Sequence, residues 1–205
     1  MKKFYIAMLC MMSLTVTAQD NTWEKTAATS QNAQQNPDAK YLTGAVPEVG
    51  GRVIFETTIK APGKSKKQVY DCILSYFKKI INEPNQVGQS RITEADSIGN
   101  SQIVANLQEW LVFKNKPLEL DRTRLFYHLI ADCNDGEATI KMTRIVYLYD
   151  EERDPQQLVA EEWITDRYGL NKKQTKLARV SGKFRRKTID RKDYLFEMIK
   201  QELSK

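Results

Sequence analysis

Between Gln89 and Tyr149 the chain carries four runs that read as strands separated by turn residues, and these follow directly on one strongly amphipathic helix. The strand runs are Gln89–Glu94, Gln102–Phe113, Arg122–Asp132 and Glu137–Tyr149, the last two flanking Asn134-Asp135-Gly136, a hairpin signal with a residue that accepts positive φ. Upstream, Ser65 and Gln68 fit a capping box, and Val69, Cys72, Ile73, Tyr76, Phe77, Ile80 and Ile81 recur at helical spacing until Glu83-Pro84-Asn85 stops the pattern. Before the helix, Val53, Phe55, Thr57 and Ile59 alternate with their neighbours across Arg52–Lys60, which is the period of a strand with one buried face. The order β-α-β-β-β-β predicts an α+β fold, an antiparallel sheet packed against the amphipathic helix.

The C-terminal third predicts further helices. Asp154-Pro155 reads as a helix start, with Leu158, Val159, Trp163 and Ile164 as the apolar stripe and Gly169 as the stop. The basic stretch that follows reads as loop or irregular strand. Asp190 then opens a final helix with Tyr194, Leu195, Met198, Ile199 and Leu203 toward the core.

The other end predicts an address. Lys2 and Lys3 precede an uncharged run, Phe4–Val16, and Val16-Thr17-Ala18 offers compact residues where a signal peptidase cuts, so residues 1–18 read as a signal peptide. That run is too short for a permanent transmembrane helix, and no later segment reaches spanning length. Gln19–Lys40, rich in Gln, Asn, Ala and Thr, reads as a flexible polar leader, and 41–205 as a single domain. Export would leave Cys72 and Cys133. Two cysteines are no disulfide scaffold, and the sequence leaves open whether they bridge.

Three stretches, Tyr41–Ile59 (YLTGAVPEVGGRVIFETTI), the Ser65–Ile81 helix with Tyr70 in its first turns, and Thr165–Asp190 (TDRYGLNKKQTKLARVSGKFRRKTID), resemble a family of exported bacterial proteins. It is the domain of unknown function 4468 family, with a TATA-binding-protein-like (TBP-like) fold, and the resemblance covers about residues 41–205. It implies that fold, export, and a Gram-negative envelope setting in the periplasm or at the outer membrane. The family brings no established activity, so no catalytic residue is carried over, and a fold name transfers no DNA binding.

No motif assembles a catalytic, cofactor or metal site. His128 is the only histidine and sits mid-strand without a nucleophile motif. Asp150, Glu151, Glu152 and Asp154 lack the spacing and glycine of a calcium loop. Glu161, Glu162 and Asp166 offer the carboxylates of an alternative envelope hydrolase or transferase. The net charge of +6 is unevenly spread: Leu170–Lys192 holds ten basic residues against one acid. Lys172, Lys173, Lys176, Arg179, Lys183, Arg185, Arg186 and Lys187 are therefore the candidate anion-binding set, with anionic lipid head groups or glycans as partners. Export removes nucleic acid as a partner. The preferred expectation is a non-enzymatic domain that binds an envelope ligand or protein through a sheet face or this basic stretch. Expressed in a Gram-negative host, the mature chain is expected to begin at Gln19. N-terminal sequencing checks this, and retention of Met1 would refute it.

Overall fold

The computed structural model describes residues 21, 23, 24, 36–96, 98, 99 and 101–205; the expected signal peptide and most of the expected leader lie outside the described residues. In chain order there are β1 (Glu48–Val49), β2 (Arg52–Lys60), α1 (Lys66–Ile80), β3 (Arg91–Ala95), β4 (Gln102–Lys116), β5 (Glu119–Asn134), β6 (Glu137–Tyr149) and β7 (Gln156–Val159). Two short turns, α2 (Ala160–Trp163) and α3 (Asp166–Gly169), lead to the long α4 (Gly182–Leu203). The strands form one antiparallel sheet in the order β1-β2-β6-β5-β4-β3, with β7 also beside β6. Helices α1 and α4 pack against each other and against one face of it. The fold is thus the α+β arrangement that the periodicities predict.

Each early element follows from local chemistry. Both halves of the Ser65–Gln68 capping box form, a feature worth about 1 kcal/mol. The β5–β6 hairpin turns through Gly136 at φ 71°, and its tip docks on the helix start, where Asp135 Oδ1 accepts the Lys66 N–H at 2.7 Å. In β6 the buried residues are Ala138, Ile140 and Met142, then Ile145 and Tyr147. This one-residue change of phase is a bulge: register slips between Phe126 and His128 of β5, and Arg144 takes φ 53°.

The C-terminal third departs from expectation in two places. The helix expected from Asp154-Pro155 is instead a strand over Gln156–Val159 before the turn α2. The reason lies in β6, whose edge is paired by β2 only as far as Thr143, leaving the backbone of Val146–Tyr149 to be satisfied by β7. The final helix begins at Gly182, eight residues before Asp190, so half of the basic stretch is helix rather than loop. Phe184, Thr188, Arg191, Leu195 and Ile199 form its buried stripe. Its lysines and arginines reach carboxylates distant in sequence, which local pattern cannot register.

Within the expected leader, the described residues Asn21, Trp23, Glu24 and Asp38 contact the domain. The Asn21 side chain bonds both the N–H and the carbonyl of Val112, at 3.0 and 2.7 Å, in the manner of an added strand, and Trp23 is buried. The Trp23 ring lies 5.7 Å from the Arg191 guanidinium, beside Tyr194. Asp38 pairs with Arg186 and Glu24 with Lys187. One large aromatic over a buried cation supplies the apolar area that the polar composition of this segment lacks.

Arg191 itself is wholly buried on the sheet-facing side of α4. It donates through Nε to Glu109 of β4 at 2.9 Å and through Nη2 to Glu83, just past α1, at 2.6 Å; Gln86 donates to Glu109 at 2.9 Å. Burial pushes the Glu109 carboxyl up, against the opposing pull of Arg191, while Arg191 is held charged because its acidic neighbours outweigh its own burial. Removing one member strands the other charge in the core. Arg191→Met is expected to lower the unfolding free energy by roughly 3–5 kcal/mol, and Glu109→Gln in the same chain to recover part of that loss. Urea unfolding measures both, and an unchanged midpoint in the single variant would refute the role.

Candidate functional site

The face of the sheet away from the helices is open. Along β5, Thr123, Leu125, Tyr127, Leu129, Ala131 and Cys133 point into the core, so Arg122, Arg124, Phe126, His128, Ile130 and Asp132 point outward, each half-buried. A solvated face would carry polar residues at these places. Here the middle of the face is apolar, because Phe126 pairs across with Val146, and Leu148 lies two residues further along β6.

A cavity of about 470 Å³ lies on this face, lined by Arg91, Asn106, Gln108, Phe126, His128, Arg144, Val146, Leu148 and Gln157 among others. Strand register explains how they meet. Arg91 of β3 stands opposite Asn106 of β4, Asn106 opposite His128 of β5, and His128 opposite Thr143 of β6, with Arg144 next in the bulge. Thus one row across four strands carries Arg91, Asn106, His128 and Arg144. Burial lowers the His128 pKa, and the positive charge of Arg144 lowers it further. Oδ1 of Asn106 is buried and has no hydrogen-bond partner among the described residues.

The residues singled out in the sequence scatter. Lys172, Lys173, Lys176 and Arg179 are exposed on the loop before α4. The remainder of the basic set is drawn into internal contacts. Arg185 is fully buried and donates to the carbonyls of Tyr41, Leu42 and Ile164 and to Asp166. Lys183 reaches Asp121 at 2.6 Å over the Phe113 and Tyr149 rings, Arg186 pairs with Asp38, and Lys187 with Glu24. The carboxylates do not converge with His128: Glu161 accepts the Val53 N–H, Asp166 accepts the Gly44 N–H and Arg185, and Glu162 is exposed. In the acidic turn, Glu151 and Glu152 pair with Arg124 and Arg122 of β5, and Asp150 with Arg153. Cys72 and Cys133 are free thiols, and burial raises the Cys133 pKa to about 12.

No single residue marks this row or the open trough it lines, because the row spans four strands. One signal was present: Arg124, Phe126 and His128, like Val146 and Leu148, lie on the outward parity of strands whose other parity already fills the core.

The family model for the domain of unknown function DUF4468, with TBP-like fold, matches residues 55–148. A crystal structure of a DUF4468 family protein from Bacteroides ovatus ATCC 8483 is 37% identical to this chain, with a TM-score of 0.76 over 83% of this chain and 97% of that one. The chain belongs to the DUF4468 family. A TBP-like protein from Parabacteroides distasonis ATCC 8503, 21% identical with a TM-score of 0.62 over 77% of this chain and 96% of that one, shares the fold. Among curated proteins none matches. The span of the DUF4468 match runs from β2 through most of β6 and so contains the trough row, whereas the docked residues Asn21, Trp23 and Glu24 and helix α4 lie outside it.

The depressed His128 pKa has a measurable sign. The unfolded chain takes up the proton first, so His128 lowers stability as pH falls through 6.5 toward the folded value. Its imidazole, followed by NMR, is expected to titrate below 6.5, and Arg144→Gln to bring the midpoint back toward 6.5. A midpoint at or above 6.5 in the parent chain would contradict the partial burial of His128 beside Arg144.

Proposed function

We propose that this DUF4468 protein is a non-enzymatic binding domain of the bacterial envelope whose ligand occupies the open sheet face. The observation that carries the reading is the trough itself, a cavity of about 470 Å³ with an apolar floor and polar groups converging from four strands. Ligand pockets of small molecules have this size and make-up. The signal-like Met1–Ala18 supports the exported setting, and among the described residues no helix is long and apolar enough to cross a membrane. A second reading rests on the exposed Lys172, Lys173, Lys176 and Arg179, which remain available to anionic lipid or glycan surfaces. Backbone-amide NMR mapping of a fragment library separates the two. Hits are expected to cluster on the outward faces of β4, β5 and β6 and to disappear when Val146→Trp fills the trough. Clustering on the loop before α4 would favour the second reading, and the absence of any cluster on the sheet would reject the first.

A further inference from the structure

The charge pattern of the open face narrows the ligand further, on the reading that the face is a binding site. Arg91 and Arg144 stand at the two ends of the trough row, three inter-strand spacings or about 14 Å apart. Extended arginine side chains can close that gap onto one group. Neither side chain forms a hydrogen bond or ion pair among the described residues, and no Asp or Glu lines the cavity. The face treats its other arginines differently. Arg122 and Arg124 lie over the Trp110 ring, 3.8 and 5.3 Å from its centre, and are matched by Glu152 and Glu151. Toward the other end of the strands, Lys141 sits between Glu56 and Asp132, at 3.5 and 3.3 Å. Ion-paired charges therefore bracket the trough along the strands, and the uncompensated positive charge is confined to Arg91 and Arg144.

The remaining groups fit the same picture. The Asn106 side chain also lines the trough, half-buried and with its oxygen unpartnered among the described residues. Beside this row, Phe126, Val146 and Leu148 offer an apolar shelf that water covers poorly. We propose that the trough binds the anionic head group, a carboxylate or phosphate monoester, of a small amphiphile between Arg91 and Arg144, with its apolar part over Phe126, Val146 and Leu148. Both arginines, exposed on the open face, would then form charge-assisted, fork-like hydrogen bonds to the head group.

The test compares octanoate, octyl phosphate and octanol, each titrated into the full mature chain while backbone amides are followed by NMR. At least one anion is expected to shift the amides of Asn106, His128, Arg144 and Val146, and to bind about tenfold or more tightly than octanol. The two anions separate carboxylate from phosphate recognition. Arg91→Gln with Arg144→Gln should reduce anion binding to the octanol level with the melting temperature unchanged, whereas Lys78→Gln with Lys116→Gln, which removes the same charge elsewhere, should not. Octanol binding the face as tightly as both anions would overturn the head-group assignment and leave the binding face standing. Failure of all three probes to move the face would also overturn the assignment, while the fragment map decides the broader reading independently. Equal weakening by the two double variants would reduce the effect to net charge and overturn the two arginines' role.

Discussion

The rest of the structure hangs on one buried cation. Arg191 sits where α4, β4, the end of α1 and the docked N-terminal segment meet, and each supplies it with something: Glu109 from the sheet, Glu83 from beyond the first helix, the Trp23 ring from the N-terminal side. A guanidinium taken out of water is tolerable only when nearly all its neighbours are in place, because the desolvation cost is fixed and the compensation is shared among them. Leucines in the same place would hold the layers together but would fit several rotations of α4. The planar fork of Arg191 demands one.

Arg185 imposes a similar condition one and a half turns earlier in α4. Its bonds to the carbonyls of Tyr41, Leu42 and Ile164 pin irregular chain on either side of the helix. These two arginines explain why α4, which carries more charge than a core helix usually does, is the element that closes the fold. They also keep the helical layer on one side, so the other side of the sheet remains uncovered.

Much of the fold was readable from local pattern. The capped helix, the strand at Arg52–Lys60 and the Gly136 hairpin depend on neighbours a few residues away, and the periodicity registers them directly. What escaped depends on partners far along the chain. Gln156–Val159 is strand because of an unsatisfied edge of β6, and Lys183–Lys187 is helical because Asp121, Asp38, Asp166 and Glu24 accept its charges. Composition likewise carries no sign of the contacts of Asn21 and Trp23, which come from one tryptophan and two bonds to Val112. The candidate site was legible only as a parity: too many apolar and cationic residues on the side of β5 and β6 that should face water. Which of them share a row requires register, and register depends on the bulge at Arg144.

The pairing of β2 with β6 has a consequence for how the chain reaches this state. Ile54 stands opposite Thr143, so the loop to be closed spans nearly the whole meander, while β4, β5 and β6 are joined by tight hairpins. Closing a long loop is entropically costly and is rewarded only by the contacts made at its end. Loop-closure entropy therefore favours assembly of the meander before β2 docks. In the interval the Glu137–Thr143 edge of β6 is a bare template, open to a strand from any neighbouring chain. Lys60 and Glu137, paired at the rim, and Lys141 with Glu56 put charge along that seam, which selects the native strand over strays.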